Sequence, residues 1–193
     1  MDEERIPPTR IRVTKLQEAQ VSDLVRIERA CAAMHYDVGF SEAQVVPRTS
    51  VQIAALHRSH DVYVAEADHI VAGYLAWRDE PPKIGCLYIL NVAPEYQRFG
   101  VATRLLRELA ERCQESAIRT VVARCWTKAT WAHAFLVSLD FKALQPNEGP
   151  PQLAEWRERA EASNELAEPG QVVLWRPVAN LGIKIIPGVP LPR

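Results

Sequence analysis

The chain has 193 residues, with 23 Lys and Arg against 24 Asp and Glu, so the net charge is −1. That length suits one domain with a real core, and the balanced charge gives no reason to expect nucleic acid. No apolar run approaches membrane-spanning length, and the acidic, polar start (MDEERIPPTR) is not a signal peptide. Cys31, Cys86, Cys113 and Cys125 lie inside apolar periodic segments without C-x-x-C spacing. They read as buried free thiols rather than a metal site or disulfides, which implies a cytoplasmic address.

Residues 1–10 read as a loose leader. Residues 11–16 alternate and predict a first strand. Ser22 or Asp23 is placed to cap a helix carrying Leu24, Ile27, Cys31 and Met34 inward, and Thr49 or Ser50 to cap a second through Ile53 and Leu56. Between them, residues 35–40 form a loop with polar and aromatic groups together. Residues 61–67 and 70–77 predict a hairpin around Asp68-His69, and Asp79-Glu80-Pro81-Pro82 breaks the pattern.

The stretch CLYILNVAPEYQRFGVATRLLRELAERC, from Cys86 to Cys113, organises the rest. An apolar run ending at Val92 predicts a buried strand, and Pro94 ends it in a turn. After Gly100, Val101, Leu105, Leu106, Leu109, Ala110 and Cys113 share one face at helical spacing. Strand, tight turn and helix start aim free N–H groups and the positive end of a helix dipole at one point, which suits a phosphate or pyrophosphate. Gly100 lets the backbone approach an anion with no side chain in the way. Neither G-x-x-x-x-G-K-[ST] nor G-x-G-x-x-G is present, so the two commoner phosphate loops do not apply.

Residues 120–126 predict a strand parallel to residues 84–92, because a helix crosses between them. Thr130 is placed to cap a helix with Trp131, Ala134, Phe135, Val137 and Ser138, and a strand begins at Phe141. Residues 146–170 are polar and bounded by Pro and Gly, and residues 152–166 predict an inserted surface helix touching the rest only through Leu153, Trp156, Ala160 and Leu166. A closing strand follows at 172–178. Residues 179–193 read as an extended tail lying on a surface, with a homodimer favoured over a self-packed tail.

Gln97-Arg98-Phe99-Gly100-Val101-Ala102 fills the motif [Q/R]-x-x-G-x-[G/A], and the segment resembles the pyrophosphate loop of the GCN5-related N-acetyltransferases (GNAT). The element order fits that family over residues 11–178. The resemblance implies an α/β fold with a mixed sheet of about seven strands, helices on both faces and a splayed fourth and fifth strand pair. It also implies acetyl-coenzyme A as co-substrate, an amine acceptor, and no metal, nucleic acid or membrane partner. On this pattern the backbone of Leu90, Asn91 and Val92 would hold the pantetheine arm. Gln97 opens the loop, and the N–H groups of Arg98, Phe99, Gly100, Val101, Ala102 and Thr103 would hold the pyrophosphate, with Arg98 and Arg104 available to attract it.

The catalytic positions depart from the family. Leu136 stands where a tyrosine usually protonates the leaving thiolate, Ala129 where an asparagine is common, and Cys86 where some members carry a glutamate base. Tyr88, on the motif strand, and His133, one helical turn before Leu136, are the candidate catalytic substitutes, with an ordinary core or surface residue as the alternative for each. Glu66 is a candidate water-mediated relay, and Trp131 and Trp156 are candidate walls of an acceptor pocket. The residues thus support an N-acetyltransferase, with a non-catalytic coenzyme A-binding or sensing module as the alternative.

Overall fold

The computed structural model describes residues 6–146, 148–179 and 181. Residues 1–5 of the leader and all of the tail beyond Leu181 lie outside them. Seven strands form one sheet in the order β1-β2-β3-β4-β5-β7-β6. They are β1 Ile11–Lys15, β2 Asp61–Ala67, β3 Ile70–Glu80, β4 Ile84–Val92, β5 Thr120–Trp126, β6 Lys142–Ala143 and β7 Gln171–Pro177. The helices are α1 Val21–Tyr36, α2 Ser50–Ser59, α3 Val101–Glu115, α4 Thr130–Ser138 and α5 Pro151–Ala162. The described residues fall into two compact units, one within 1–76 and 89–108 and the other within 77–88 and 109–193.

In the first unit, β1 runs antiparallel to β2, from Ile11↔Ala67 to Lys15↔Tyr63. The turn between β2 and β3 has Asp68 and His69 both in the left-handed region (φ 47° and 71°), as a two-residue hairpin needs. Asp68 also accepts hydrogen bonds from Thr9 N, Thr9 Oγ1 and Arg10 N, so the end of the leader is tied down rather than loose. The first helix starts differently from expectation. Residues 18–20 form a 3-10 turn in which Gln17 and Gln20 satisfy one another, and α1 follows from Val21 with no side-chain cap at Ser22 or Asp23. Thr49 does cap α2: it accepts from Gln52 N at 3.3 Å, while Gln52 Oε1 accepts from Thr49 N at 2.9 Å.

In the second unit, β4 and β5 pair in parallel from Ile84↔Thr120 to Leu87↔Ala123. Each strand runs on beyond that register, to Val92 and to Trp126. Strand β7 pairs antiparallel with the whole of β5, from Thr120↔Pro177 to Trp126↔Gln171, and β6 pairs with β7.

All six apolar residues assigned to one face of α3 are buried. Helix α4 differs: Thr130 does not cap it, Ala134, Val137 and Ser138 are exposed, and Leu136 is the buried residue. Helix α5 touches the rest through the expected residues, and these are seated more deeply than a loosely attached surface helix requires. Leu153 is 0%, Trp156 2% and Ala160 7% exposed, and they pack with Ile84, Cys86, Val122 and Val173 in one core cluster, with Leu166 against it. Three apolar residues at i, i+3 and i+7 suffice to seat a helix that is polar on every other face.

Candidate active site

Strand β4 gives way to a 3-10 turn at Pro94–Tyr96 and then to a turn over residues 97–100. The Gln97 side chain closes that turn back onto the strand, donating to Val92 O at 3.0 Å and to Met34 Sδ at 3.2 Å. Cys31 Sγ donates to the same carbonyl at 3.5 Å, so Val92 O is engaged from within the chain. Arg98 and Gly100 both take positive φ, 70° and 84°. A Cβ built at Gly100 would meet nothing within 4 Å, so the backbone there faces open space. Arg104 N bonds to Gly100 O at 2.9 Å, the first bond of the α3 ladder. The N–H groups of Val101, Ala102 and Thr103 therefore precede the first intrahelical acceptor and form the positive end of a 15-residue helix. Phe99 is half-buried, and the Arg98 and Arg104 side chains are exposed. The turn has what an anion requires: a bare backbone position at its crown and a helix start behind it.

Beneath the end of β4 lies Glu28, a carboxylate only 5% exposed on α1. It accepts from the Tyr74 hydroxyl, from Asn91 Nδ2 at 2.8 Å, and from Arg48 through both its backbone N–H (3.0 Å) and its guanidinium (3.2 Å). Burial first, and then the charge of Glu28, push the Tyr74 hydroxyl well up; burial and Glu28 likewise push the Cys31 thiol up to about 12. Gly73 on β3 completes the contact, since a Cβ there would lie 2.8 Å from Asn91 O. The Asn91–Val92 backbone is thus fixed from α1, β3 and the turn. Sequence reasoning missed Glu28, although its signal was present: one carboxylate inside the apolar stripe of Leu24, Ile27 and Cys31.

A second cluster surrounds Glu80 in the other unit. Strand β3 runs through Asp79-Glu80 rather than breaking there, because Glu80 gains partners in place of solvent. Its carboxylate accepts from the Tyr88 hydroxyl, from Trp156 Nε1 at 2.7 Å, and from Arg78 Nε and Nη2 at 2.9 and 2.7 Å. Burial alone would raise this carboxyl; the donations from Tyr88, Trp156 and Arg78 outweigh it and hold the group at about 2. Burial and the bond to Glu80 push the Tyr88 phenol far up, so it stays protonated. The guanidinium carbons of Arg78 and Arg124 lie 5.0 and 5.7 Å from the Tyr88 ring centroid. Arg124 is itself held by Leu166 O at 2.9 Å and Glu165 O at 2.6 Å. Cys86, where a family base would stand, is fully buried with its thiol pushed up by that burial and by Glu80.

The remaining candidates separate in the same way. His133 is half-buried on α4, and its ring has no hydrogen-bond partner among the described residues. Leu136 is 6% exposed, an apolar plug at the usual acid position. Glu66 is engaged by Gln20 Nε2 at 2.7 Å. Trp156 is a core residue rather than a pocket wall, and Trp131 is half-buried. Among the described residues no group of three His, Cys, Asp or Glu side chains is placed to hold a metal ion, and no helix is long and apolar enough to cross a membrane.

Residues 24–141 match the family model described as Acetyltransferase (GNAT) family, more than half of the chain and including both clusters' strands and the whole of the turn. The chain belongs to this family. GNAT proteins are acetyltransferases that draw on acetyl-coenzyme A and need no metal. Solved structures share the fold. PaiA N-acetyltransferase of Thermoplasma acidophilum, in complex with coenzyme A, superposes with a TM-score of 0.66 at 14% identity, covering 88% of this chain and 99% of that one. A ribosomal-protein alanine N-acetyltransferase of Escherichia coli gives 0.60 at 15% identity, covering 88% and 94%. The Salmonella typhimurium protein yncA, with its cofactor acetyl-CoA, gives 0.60 at 15% identity, covering 87% and 94%. No curated protein matches the chain significantly by sequence.

Proposed function

We propose that this GNAT protein moves an acetyl group from acetyl-coenzyme A to a primary amine, on a small molecule or at a protein N-terminus. The observation that carries the cofactor half is the turn at residues 97–100, where Gly100 (φ 84°) opens onto empty space ahead of α3. The N–H groups from Arg98 to Thr103 would hold the pyrophosphate, and the Leu90–Val92 backbone the pantetheine arm. Bound there, acetyl-coenzyme A supplies an activated thioester.

This chain's own residues align and exclude. Alignment alone is a large source of rate in two-substrate transfer. Of the two candidate acids His133 is preferred, because its ring has no hydrogen-bond partner among the described residues while the Tyr88 proton is directed at Glu80. The structural neighbours support an amine acceptor in kind: one is a ribosomal-protein alanine N-acetyltransferase and another an N-acetyltransferase. Four buried free cysteines support a cytoplasmic setting, and a homodimer through the tail remains part of the proposal.

A non-catalytic coenzyme A sensor is the second reading, favoured by the apolar Leu136 and the buried Cys86 at the usual acid and base positions. Calorimetry with coenzyme A tests the shared site. Thiol release from acetyl-coenzyme A over a panel of amines then separates the readings: transfer to at least one amine supports the enzyme, and tight binding without transfer supports the sensor.

A further inference from the structure

We infer that the side chain of Asn91 receives the acceptor amine, its carbonyl oxygen accepting an N–H of the amine, and that the buried Glu28 is the positioning residue that holds the Asn91 carboxamide the way round this needs. The inference rests on the amine-acetyltransferase reading and deepens it.

The partner of the carboxamide decides its orientation. Glu28 is paired with Arg48 through the backbone N–H at 3.0 Å and the guanidinium at 3.2 Å, and a carboxylate paired in this way only accepts. The group 2.8 Å from Glu28 Oε1 is therefore the NH2 of Asn91, and Oδ1 is turned away from the carboxylate. The reversed carboxamide would set two acceptor oxygens against one another. Tyr74 donates to the same oxygen of Glu28, so the carboxylate is itself held in place. The other end of the carboxamide is open. Asn91 Oδ1 has no hydrogen-bond partner among the described residues. Asn91 is partly exposed, and Oδ1 is not among the side-chain atoms sealed from solvent without a partner. An oriented acceptor thus stands ready for a donor from outside the chain.

The faces of the sheet say which substrate that donor belongs to. A Cβ at Gly73 would meet Val92 Cγ2 at 3.1 Å and Val101 Cγ1 at 3.2 Å, so Gly73 and Val92 look toward α3, whose start is the proposed pyrophosphate site. Their neighbours in sequence, Tyr74 and Asn91, alternate to the other face, and both reach Glu28 on α1. All of these residues lie within the first unit. The Asn91 backbone is the part proposed for the pantetheine arm, while its side chain leaves on the face opposite the phosphates. The group that meets it there with an N–H to give is the second substrate, the primary amine. One N–H donates to Oδ1, and the nitrogen lone pair stays free for the thioester carbonyl carbon. The C–N bond forms, the C–S bond breaks with its electron pair on sulfur, and the surplus proton of the nitrogen passes to water. Asn91 neither gives nor takes a proton, so its contribution is to binding.

The test uses the full chain, acetyl-coenzyme A and the amine found active in the panel. Asn91→Ala is expected to raise the amine KM about tenfold, with kcat changed less than about threefold, as loss of one binding hydrogen bond does. Its coenzyme A affinity, read by calorimetry, should stay within about threefold of the parent, because the pantetheine contact runs through the backbone. Glu28→Gln can donate to Asn91 Oδ1 and turn the carboxamide over, so it should raise the amine KM as Asn91→Ala does. The double variant should then be no worse in amine KM than Asn91→Ala alone, because both remove one interaction. Thermal melts show which variants are folded, and if Glu28→Gln is not, Asn91→Ala decides. A folded Asn91→Ala with a parent-like amine KM overturns the inference, whether its other constants hold, its coenzyme A affinity drops or its kcat falls. A folded Glu28→Gln with a parent-like amine KM overturns the role of Glu28. A parent protein that binds coenzyme A yet acetylates no amine overturns the transfer reading first, and this assignment with it.

Discussion

Glu28 Oε1 and Asn91 Nδ2 lie 2.8 Å apart, tying a buried carboxylate of α1 to the strand that ends in the cofactor turn. Because Tyr74 and Arg48 donate to the same carboxylate, removing it strands buried donors rather than one bond. We expect Glu28→Ala to destabilise the protein by about 1–3 kcal/mol, the cost of unsatisfied buried polar groups. Arg48→Ala, at a side chain 41% exposed, should cost under about 1 kcal/mol. Urea titrations of both variants check the ranking; equal losses would show that the Arg48 pair, not the Tyr74 and Asn91 bonds, matters most.

The two glycines around the cofactor turn should behave in opposite ways. Gly100→Glu places a negative side chain in open space where the pyrophosphate is proposed to sit, so coenzyme A affinity should fall more than tenfold, about 1.4 kcal/mol, with the fold retained. Gly100→Ala controls for the strain of positive φ. Gly73→Ala has no such room: its Cβ would press on Asn91 O at 2.8 Å and Val92 Cγ2 at 3.1 Å. Overpacking of that kind costs about 1–3 kcal/mol. Calorimetry and denaturation on each variant read the two effects separately, and unchanged affinity in Gly100→Glu would remove the pyrophosphate assignment.

Helix α5 should prove indispensable. Trp156→Ala deletes a fully buried indole and its bond to Glu80, for an expected loss of about 3–5 kcal/mol. Replacing residues 150–168 by a short Gly-Ser turn should give insoluble protein. A soluble, cooperatively unfolding trimmed chain would show that the core cluster closes without this helix.

Glu80 also sets a pH dependence. The donors around it hold its folded carboxyl down at about 2, below the ordinary carboxylate value of 4.5. A depressed folded pKa means stability that is fully present above about pH 4.5 and is lost as the pH falls toward 2. The wild-type minus Glu80→Gln difference in denaturation midpoint should be constant from pH 7 to 5 and shrink below 4.5. A difference that persists at pH 2.5 would mean that the carboxylate is not held ionised by its partners.

How far residues alone led depended on the range of the interaction involved. The α3 face, the Asp68-His69 hairpin, the Thr49 cap and the parallel β4–β5 pair all follow from local periodicity and turn chemistry, and all stand in the structure. The Glu28 and Glu80 clusters were not legible, because their partners come from positions up to 63 and 76 residues distant. Helix α5 showed the right contact residues, yet the depth of their burial depends on β4, β5 and β7 meeting around them, which no window of sequence displays.

The place of β7 has a consequence for synthesis on the ribosome. It lies between β5 and β6, although it is the last strand made among the described residues. Until Pro177 has emerged from the exit tunnel, β5 keeps an unpaired edge of Val, Val, Ala and Cys, and β6 has no neighbour at all. The growing chain therefore carries a sticky strand edge through the translation of α5, and the second unit closes only after that, in one late step. A nascent chain stalled before Gln171 should recruit holding chaperones that release it once the strand is complete.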